Sequence, residues 1–381
     1  MDENIGLVIT DGEKSYKILE PVGIWGPQMN LIVYDAAVLG ADDDLDKAPH
    51  FALKMIPEMG DLQEYHDMTL EDLHKSRKLA DDVIARGYIL PVTNSFYSEI
   101  RGKLTLCIVF PCKADVISLR SIMSTGPRFA DGIPEAFIKI ALVRVVRGLQ
   151  QIHNRIYNEK RMHHMQLTTN AIVFNHVSET VQLSYAATVY ESGAILNDNN
   201  VYSMNKMLAW GLAPEVKGVD EPFGYVHTYD TAKSDIWLVG IAALELAYGK
   251  LPVESRKELL QVARYICQVK VLPDTWEDLK LKSAELAADK DLPIKKRKLS
   301  NEEAITASLA NVAKGRFSDC FAKFLAFCLD ADLNRRASAM QLGKHAFLQE
   351  GVGSMINFRD IVVKGLSPHV LRVLGPKKPR C

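Results

Sequence analysis

Leu212-Ala213-Pro214-Glu215-Val216-Lys217-Gly218 is followed, after a loop, by YDTAKSDIWLVGIAALELAYGKLP at 229–252. The second stretch reads as a helix. Asp235 stands near its start, where a carboxylate complements the positive end of the helix dipole and accepts backbone N–H bonds. Trp237, Leu238, Ile241, Ala242, Leu244, Leu246 and Ala247 cover most of its circumference. A helix apolar nearly all round belongs at the centre of a domain or in a membrane. Glu245 and the short length argue against a membrane span. The chain is therefore expected to be built around 232–248.

Working outward, 381 residues suffice for one large two-lobed domain or two ordinary ones. Apolar residues make up 48% and charged residues 24%, the composition of an ordinary soluble globular protein. The net charge of −1 supplies no bulk attraction to nucleic acid or anionic membrane. Cysteines 107, 112, 267, 320, 328 and 381 show no CxxC pair and no metal spacing, so they read as small core residues in a reducing compartment. The first residues, MDENIGLVITDGEK, are acidic and polar rather than a leader, and no apolar run reaches spanning length. These features predict a cytoplasmic protein. KKRK at 295–298 is a candidate nuclear-import signal or a solvated loop.

Residues 1–15 read as a lead-in. Residues 16–113 read as strands with one helix at 70–85, and FALKMI at 51–56 is an alternating strand carrying Lys54. Residues 114–350 are mainly helical. In the stretch 135–157, apolar residues at 138, 141, 142, 145, 146, 149 and 152 mark one helix face. A charged insertion occupies about 274–312, and 351–381 is expected to be a loosely held tail.

Ala213-Pro214-Glu215 paired at this spacing with Lys233-Ser234-Asp235-Ile236-Trp237-x-x-Gly240 resembles the large lobe of a eukaryotic protein kinase. The closest resemblance is to the germinal-centre branch of the sterile-20 kinases and the STRAD-type adaptor pseudokinases. It covers roughly residues 16–348. It implies an α+β, bilobal fold: a small antiparallel β lobe with one helix, and a large α-helical lobe.

Phosphoryl transfer needs a glycine-rich loop and a lysine for the phosphates, oxygen ligands for magnesium, and an acid for the substrate hydroxyl. The family's G-x-G-x-x-G-x-V is reduced here to Gly23 and Gly26, with Val33 as the adenine-covering valine. Trp25 and Pro27 restrict the loop, and Pro27 removes a donor. Lys54 matches the phosphate-binding lysine. Counting back from the later strands puts its helix partner near Arg77, with Glu71 as a weaker acid. Phe110 and Cys112 match the gatekeeper and hinge.

The family's H-R-D-x-K-x-x-N reads His163-His164-Met165-Gln166-Leu167-Thr168-Thr169-Asn170. Met165 stands where the acid should be, and a thioether cannot take a hydroxyl proton. Leu167 stands where the lysine should be and cannot neutralise developing charge. Asn170 alone could still meet a metal, and His163 matches a structural histidine. D-F-G reads Tyr185-Ala186-Ala187, which removes the magnesium carboxylate. The scaffold positions survive: Glu215 with Arg336 as its partner, Asp235 for the catalytic-loop backbone, and Trp237.

The resemblance thus implies a serine/threonine pseudokinase without a catalytic residue or a metal site. Such a protein acts as an adaptor or allosteric scaffold for a partner kinase or scaffold protein, with ATP free of magnesium as the candidate ligand. Two alternatives stand beside it. One is an atypical, weakly active sterile-20-type kinase using Lys54, Asn170 and a borrowed acid such as Glu191 or Asp42–Asp44. The other is a nucleotide-independent interaction module whose pocket is plugged by Tyr185 and Trp25. Nucleic-acid and membrane partners are not expected.

Overall fold

The computed structural model describes residues 3–25, 31–40, 45, 48–58, 63–90, 92–111, 116–124, 127–164, 167–185, 210–216, 232–289, 315–349 and 355–363. Within it, β1 (Val8–Thr10), β2 (Ser15–Trp25), β3 (Leu31–Val38) and β4 (His50–Pro57) form successive antiparallel pairs. Two helices follow, α1 (Gln63–Ala80) and α2 (Val83–Arg86), then β5 (Ile89–Leu90), β6 (Asn94–Ile100) and β7 (Lys103–Pro111). Six strands make one sheet in the order β1-β2-β3-β4-β7-β6.

Alternation along β4 sends its side chains to two different cores. Ala52 and Ile56 join Val33, Leu73, Ile108 and Phe110 on the helix side. Leu53 and Met55 join Ile9, Tyr16, Ile18 and Cys107 on the other. Ile9 brings β1 into that second core, so residues 1–15 are not a mere lead-in. Asn94 on β6 donates to Asp11 at 2.8 Å and Phe96 stacks on Tyr16 at 5.6 Å, which draws the two sheet edges together.

The small-lobe helix starts earlier than expected and breaks at residues 81–82. Its inward face is Leu73, Ser76 and Leu79. Asp82 accepts the backbone N–H groups of Ile84 and Ala85, capping α2 rather than continuing α1.

The large lobe continues with β8 (Val116–Ser118), α3 (Leu119–Ser124), α4 (Glu135–His153), β9 (Ile156–Tyr157), β10 (Lys160–Arg161), β11 (Ile172–Asn175) and β12 (Thr180–Ser184). The helices α5 (Ala232–Tyr248), α6 (Arg256–Val269), α7 (Trp276–Asp289) and α8 (Asp319–Cys328) come next. Short helices close the described chain: α9 (Ala339–Leu342), α10 (Ala346–Gln349), α11 (Met355–Phe358) and a π-helical turn over Arg359–Val363.

Every residue of α5 from Ser234 to Tyr248 is buried, polar Asp235 and Glu245 included. Gly240 is required there: a Cβ would meet Leu329 Cδ2 at 2.6 Å and Cys328 Cβ at 2.9 Å. Two expectations need refinement. The first part of the charged insertion at about 274–312 forms α7, which buries Trp276, Leu279 and Ser283; 290–312 lies outside the described residues. Not all of 351–381 is loosely held, because Phe358 and Val362 are fully buried against the large lobe. Among the described residues no helix is long and apolar enough to cross a membrane.

Candidate functional site

The lobes meet where a four-stranded sheet, β5-β12-β11-β8, crosses between them. β5 belongs to the small-lobe connection yet pairs in parallel with β12, Leu183 facing Ile89 and Ser184 facing Leu90. The pairing runs past the strand end, since Tyr185 N–H donates to the Leu90 carbonyl at 3.4 Å.

Above this junction the sheet register lines up one row of residues. Gly23 faces Val33, Val33 faces Lys54, Lys54 faces Ile108, and Ile108 faces Ser95. Lys54 is only 2% exposed. Burial disfavours its ammonium and carries its pKa well below the ordinary 10.5, while the charge of Asp72 works the other way. Asp72 of α1, which also pairs with Lys75 at 3.7 Å, is thus an acid whose charge reaches Lys54. Arg77 ends at the far end of the row, donating to Ser95 Oγ at 2.5 Å and to the Ser95 carbonyl at 3.1 Å. Glu71 turns to Lys75 instead, at 2.8 Å. Burial raises Asp72 to about 6, although Lys75 and Lys54 favour its ionised form.

Val33 and Phe110 lie in the buried small-lobe core with Ala52, Val116 and Val173. Val33 and Val173 have no exposed surface. Gly26, Cys112 and Met165 lie outside the described residues, as do the side chain of Trp25, Asp42–Asp44 and Glu191.

Below the cleft, Leu167 is buried in the large-lobe core and Asn170, three residues on, is also buried. Thr169 donates to Glu245 of α5, and Arg120 of α3 pairs with the same carboxylate. That trio, with Thr169 and Glu245 buried, fixes the end of the loop from beneath.

Tyr185 is 2% exposed and joins the large-lobe core. Its hydroxyl donates to the His163 carbonyl at 3.2 Å, and its ring meets the His164 ring edge-on at 5.8 Å. Burial, with the nearby charges of Asp72 and Asp235, pushes its pKa well above 10. A neutral phenol thus occupies the end of β12.

Asp235 accepts from His153 Nε2 at 2.8 Å and from the His164 backbone N–H at 2.7 Å. Burial alone would raise its pKa; the His153 and His164 contacts outweigh it and hold the carboxyl at about 2. His164 pairs through Nε2 with the Ser184 carbonyl at 2.7 Å, and burial lowers its pKa. Asp235 thereby ties α4, the loop and, through His164, the end of β12 to the central helix.

Glu215 receives both terminal nitrogens of Arg336, at 2.7 and 2.9 Å, with Ser234 Oγ at 2.6 Å. Arg336 also donates to the Asp330 carbonyl at 2.8 Å and lies 5.1 Å over the Trp237 ring. Trp237 Nε1 donates to the Gly211 carbonyl at 2.9 Å. His163 is only half-buried and supplies its carbonyl to Tyr185; His153 and His164 carry the contacts to Asp235. Among the described residues no cluster of metal-ligating side chains occurs.

This architecture is that of a protein kinase, and comparison with known proteins agrees. The model for the protein kinase domain matches residues 44–348, and the chain belongs to that family. It is similar to STE20-related kinase adapter protein alpha of Gallus gallus, 25% identical over 326 residues, covering 75% of this chain and 78% of the relative. STE20-related kinase adapter protein beta of Homo sapiens is 23% identical over 236 residues, covering 58% of this chain and 53% of the relative. Mitogen-activated protein kinase kinase 2 of Arabidopsis thaliana is 25% identical over 244 residues, covering 64% and 53%. The chain spans about half the length of the latter two.

Proposed function

We propose that this protein is a pseudokinase of the STRAD-like type that works as an adaptor or allosteric scaffold for a partner kinase. The observation that carries the reading is Tyr185. The resemblance assigns its position to the magnesium carboxylate, and a buried phenol is held there by the His163 carbonyl and the pairing with β5. Phosphoryl transfer depends on positioned metal and charge stabilisation. Tyr185 and Leu167 supply neither.

The similarity to two STE20-related kinase adapter proteins supports the adaptor role. An adaptor acts by binding one conformation of its partner more tightly than another. That needs a stiff docking body, and the retained contacts of Asp235, Glu215 and Arg336 provide stiffness without chemistry. The outward face of α1, with Glu71, His74, Arg77 and Lys78, is a candidate contact surface together with the activation segment at 188–212, of which 188–209 lies outside the described residues.

A thermal-shift titration with ATP, with magnesium and with EDTA, tests the reading. A ligand that binds only the native state at 100 times its Kd stabilises by about 2.7 kcal/mol. No shift is expected in either condition. A shift that survives EDTA and disappears in Lys54→Met would make the protein a nucleotide-stabilised adaptor. A shift that requires magnesium would overturn the pseudokinase reading.

A further inference from the structure

The protein kinase match ends at residue 348, yet the chain beyond it is docked. In α11 and the π-helical turn, Phe358 and Val362 stand four residues apart and both are fully buried. Phe358 stacks on Phe174 of β11, with ring centroids 5.8 Å apart and planes at 16°, and meets Phe137 of α4 edge-on at 6.1 Å. Arg359 pairs with Glu179, in the turn of the β11–β12 hairpin, at 3.0 Å. The segment therefore fills a groove whose walls are α4 and the back of the hairpin.

Alternation along β11 gives this groove a line to the cleft. Phe174 faces the large-lobe core that contains Phe358. Its neighbour Val173 faces the opposite way, into the small-lobe core with Val33 and Phe110. One strand's thickness separates the docked segment from the floor of the cleft. The same hairpin continues into Ser184 and Tyr185, which hold His164.

We propose that residues 355–363 are a strap that the large lobe binds in this groove, and that its docking sets the order of the cleft floor, β11 and β12 with Tyr185. The strap acts through aromatic stacking at its centre and, at its edge, through Arg359, which pairs with Glu179 at 3.0 Å and with Asp360 of the strap itself at 2.9 Å, so the segment has a grip on the cleft independent of any nucleotide. The inference holds whether or not the cleft binds ligand.

Hydrogen exchange on the full chain tests it. In Phe358→Ala, amides of 172–175 and 180–185 are expected to exchange at least about 10-fold faster, while those of α5 and α6 keep their rates. Arg359→Glu, a surface change, is expected to loosen the same amides more mildly, and Glu179→Arg combined with Arg359→Glu to restore them. Unchanged hairpin rates in both single variants would overturn the proposal. So would equal acceleration of hairpin and α5, which would mark a general packing defect.

Discussion

Replacing Arg336 by methionine removes one side of the ion pair on which the end of the large lobe rests. The Arg336 side chain has no exposed surface, while Glu215 keeps 19% of its own. Glu215 would retain Ser234 Oγ but lose both guanidinium bonds. Breaking a buried pair from one side costs roughly 3–5 kcal/mol. The residual exposure of Glu215 lets water re-enter, which favours the lower end, about 3 kcal/mol. At about 2 °C per kcal/mol for a large domain, Tm should fall by about 6 °C. The pH dependence provides a second check. Burial alone would raise the Glu215 pKa; Arg336 and Ser234 overcome it and hold it below the ordinary 4.5. A depressed carboxyl gives stability that is present above its unfolded pKa and is lost as pH falls through the folded value. The Tm gap between wild type and Arg336→Met should therefore narrow below about pH 4.5. Adding Glu215→Gln should recover part of the loss, since the stranded carboxylate is gone. Calorimetry across pH 3.5–7.5 measures all three. A Tm change under about 1 °C, or a gap that stays constant with pH, would refute the reasoning.

Three further outcomes follow from the same geometry. Asp235→Asn should cost at least about 3 kcal/mol in chemical denaturation, because the carboxylate between His153 and His164 is fully buried. Its contribution should be complete above about pH 3.8 and lost as pH falls toward about 2. Gly240→Ala should lower stability by about 1–3 kcal/mol in the same assay, since the added carbon collides with Leu329 and Cys328. Lys54→Met should raise Tm at neutral pH, because a buried ammonium with a depressed pKa opposes folding while it is charged. That gain should shrink as pH rises and vanish only above about 10.5, where the wild-type lysine is neutral in both states.

The scaffold was legible because its residues announce themselves locally. Pro214-Glu215, Asp235-x-Trp237 and a helix apolar on all sides need no long-range information to be read. The cleft was less legible, for physical reasons. Counting back from later strands puts Arg77 opposite Lys54, but α1 begins at Gln63 and breaks before Asp82, and the acid whose charge reaches Lys54 is Asp72, five residues earlier. The break was visible in principle: Asp81-Asp82 before an apolar turn is a capping signal. The bond from Asp235 to the loop backbone, at His164, is the one the resemblance implies; the His153 side chain has no local signal, because only the tertiary fold brings it to Asp235. Three residues of β1 are too short for a period, and Phe358 carries no motif; both are held by partners distant in the chain.

The most direct test of the central claim is a phosphoryl-transfer assay. The full chain would be incubated with γ-labelled ATP, magnesium or manganese, and a generic protein substrate, beside Lys54→Met. With Tyr185 and Leu167 at the positions that the resemblance assigns to a carboxylate and a lysine, label incorporation into the chain itself or the substrate should equal that of the variant. Incorporation that depends on the metal and disappears in Lys54→Met would contradict the account.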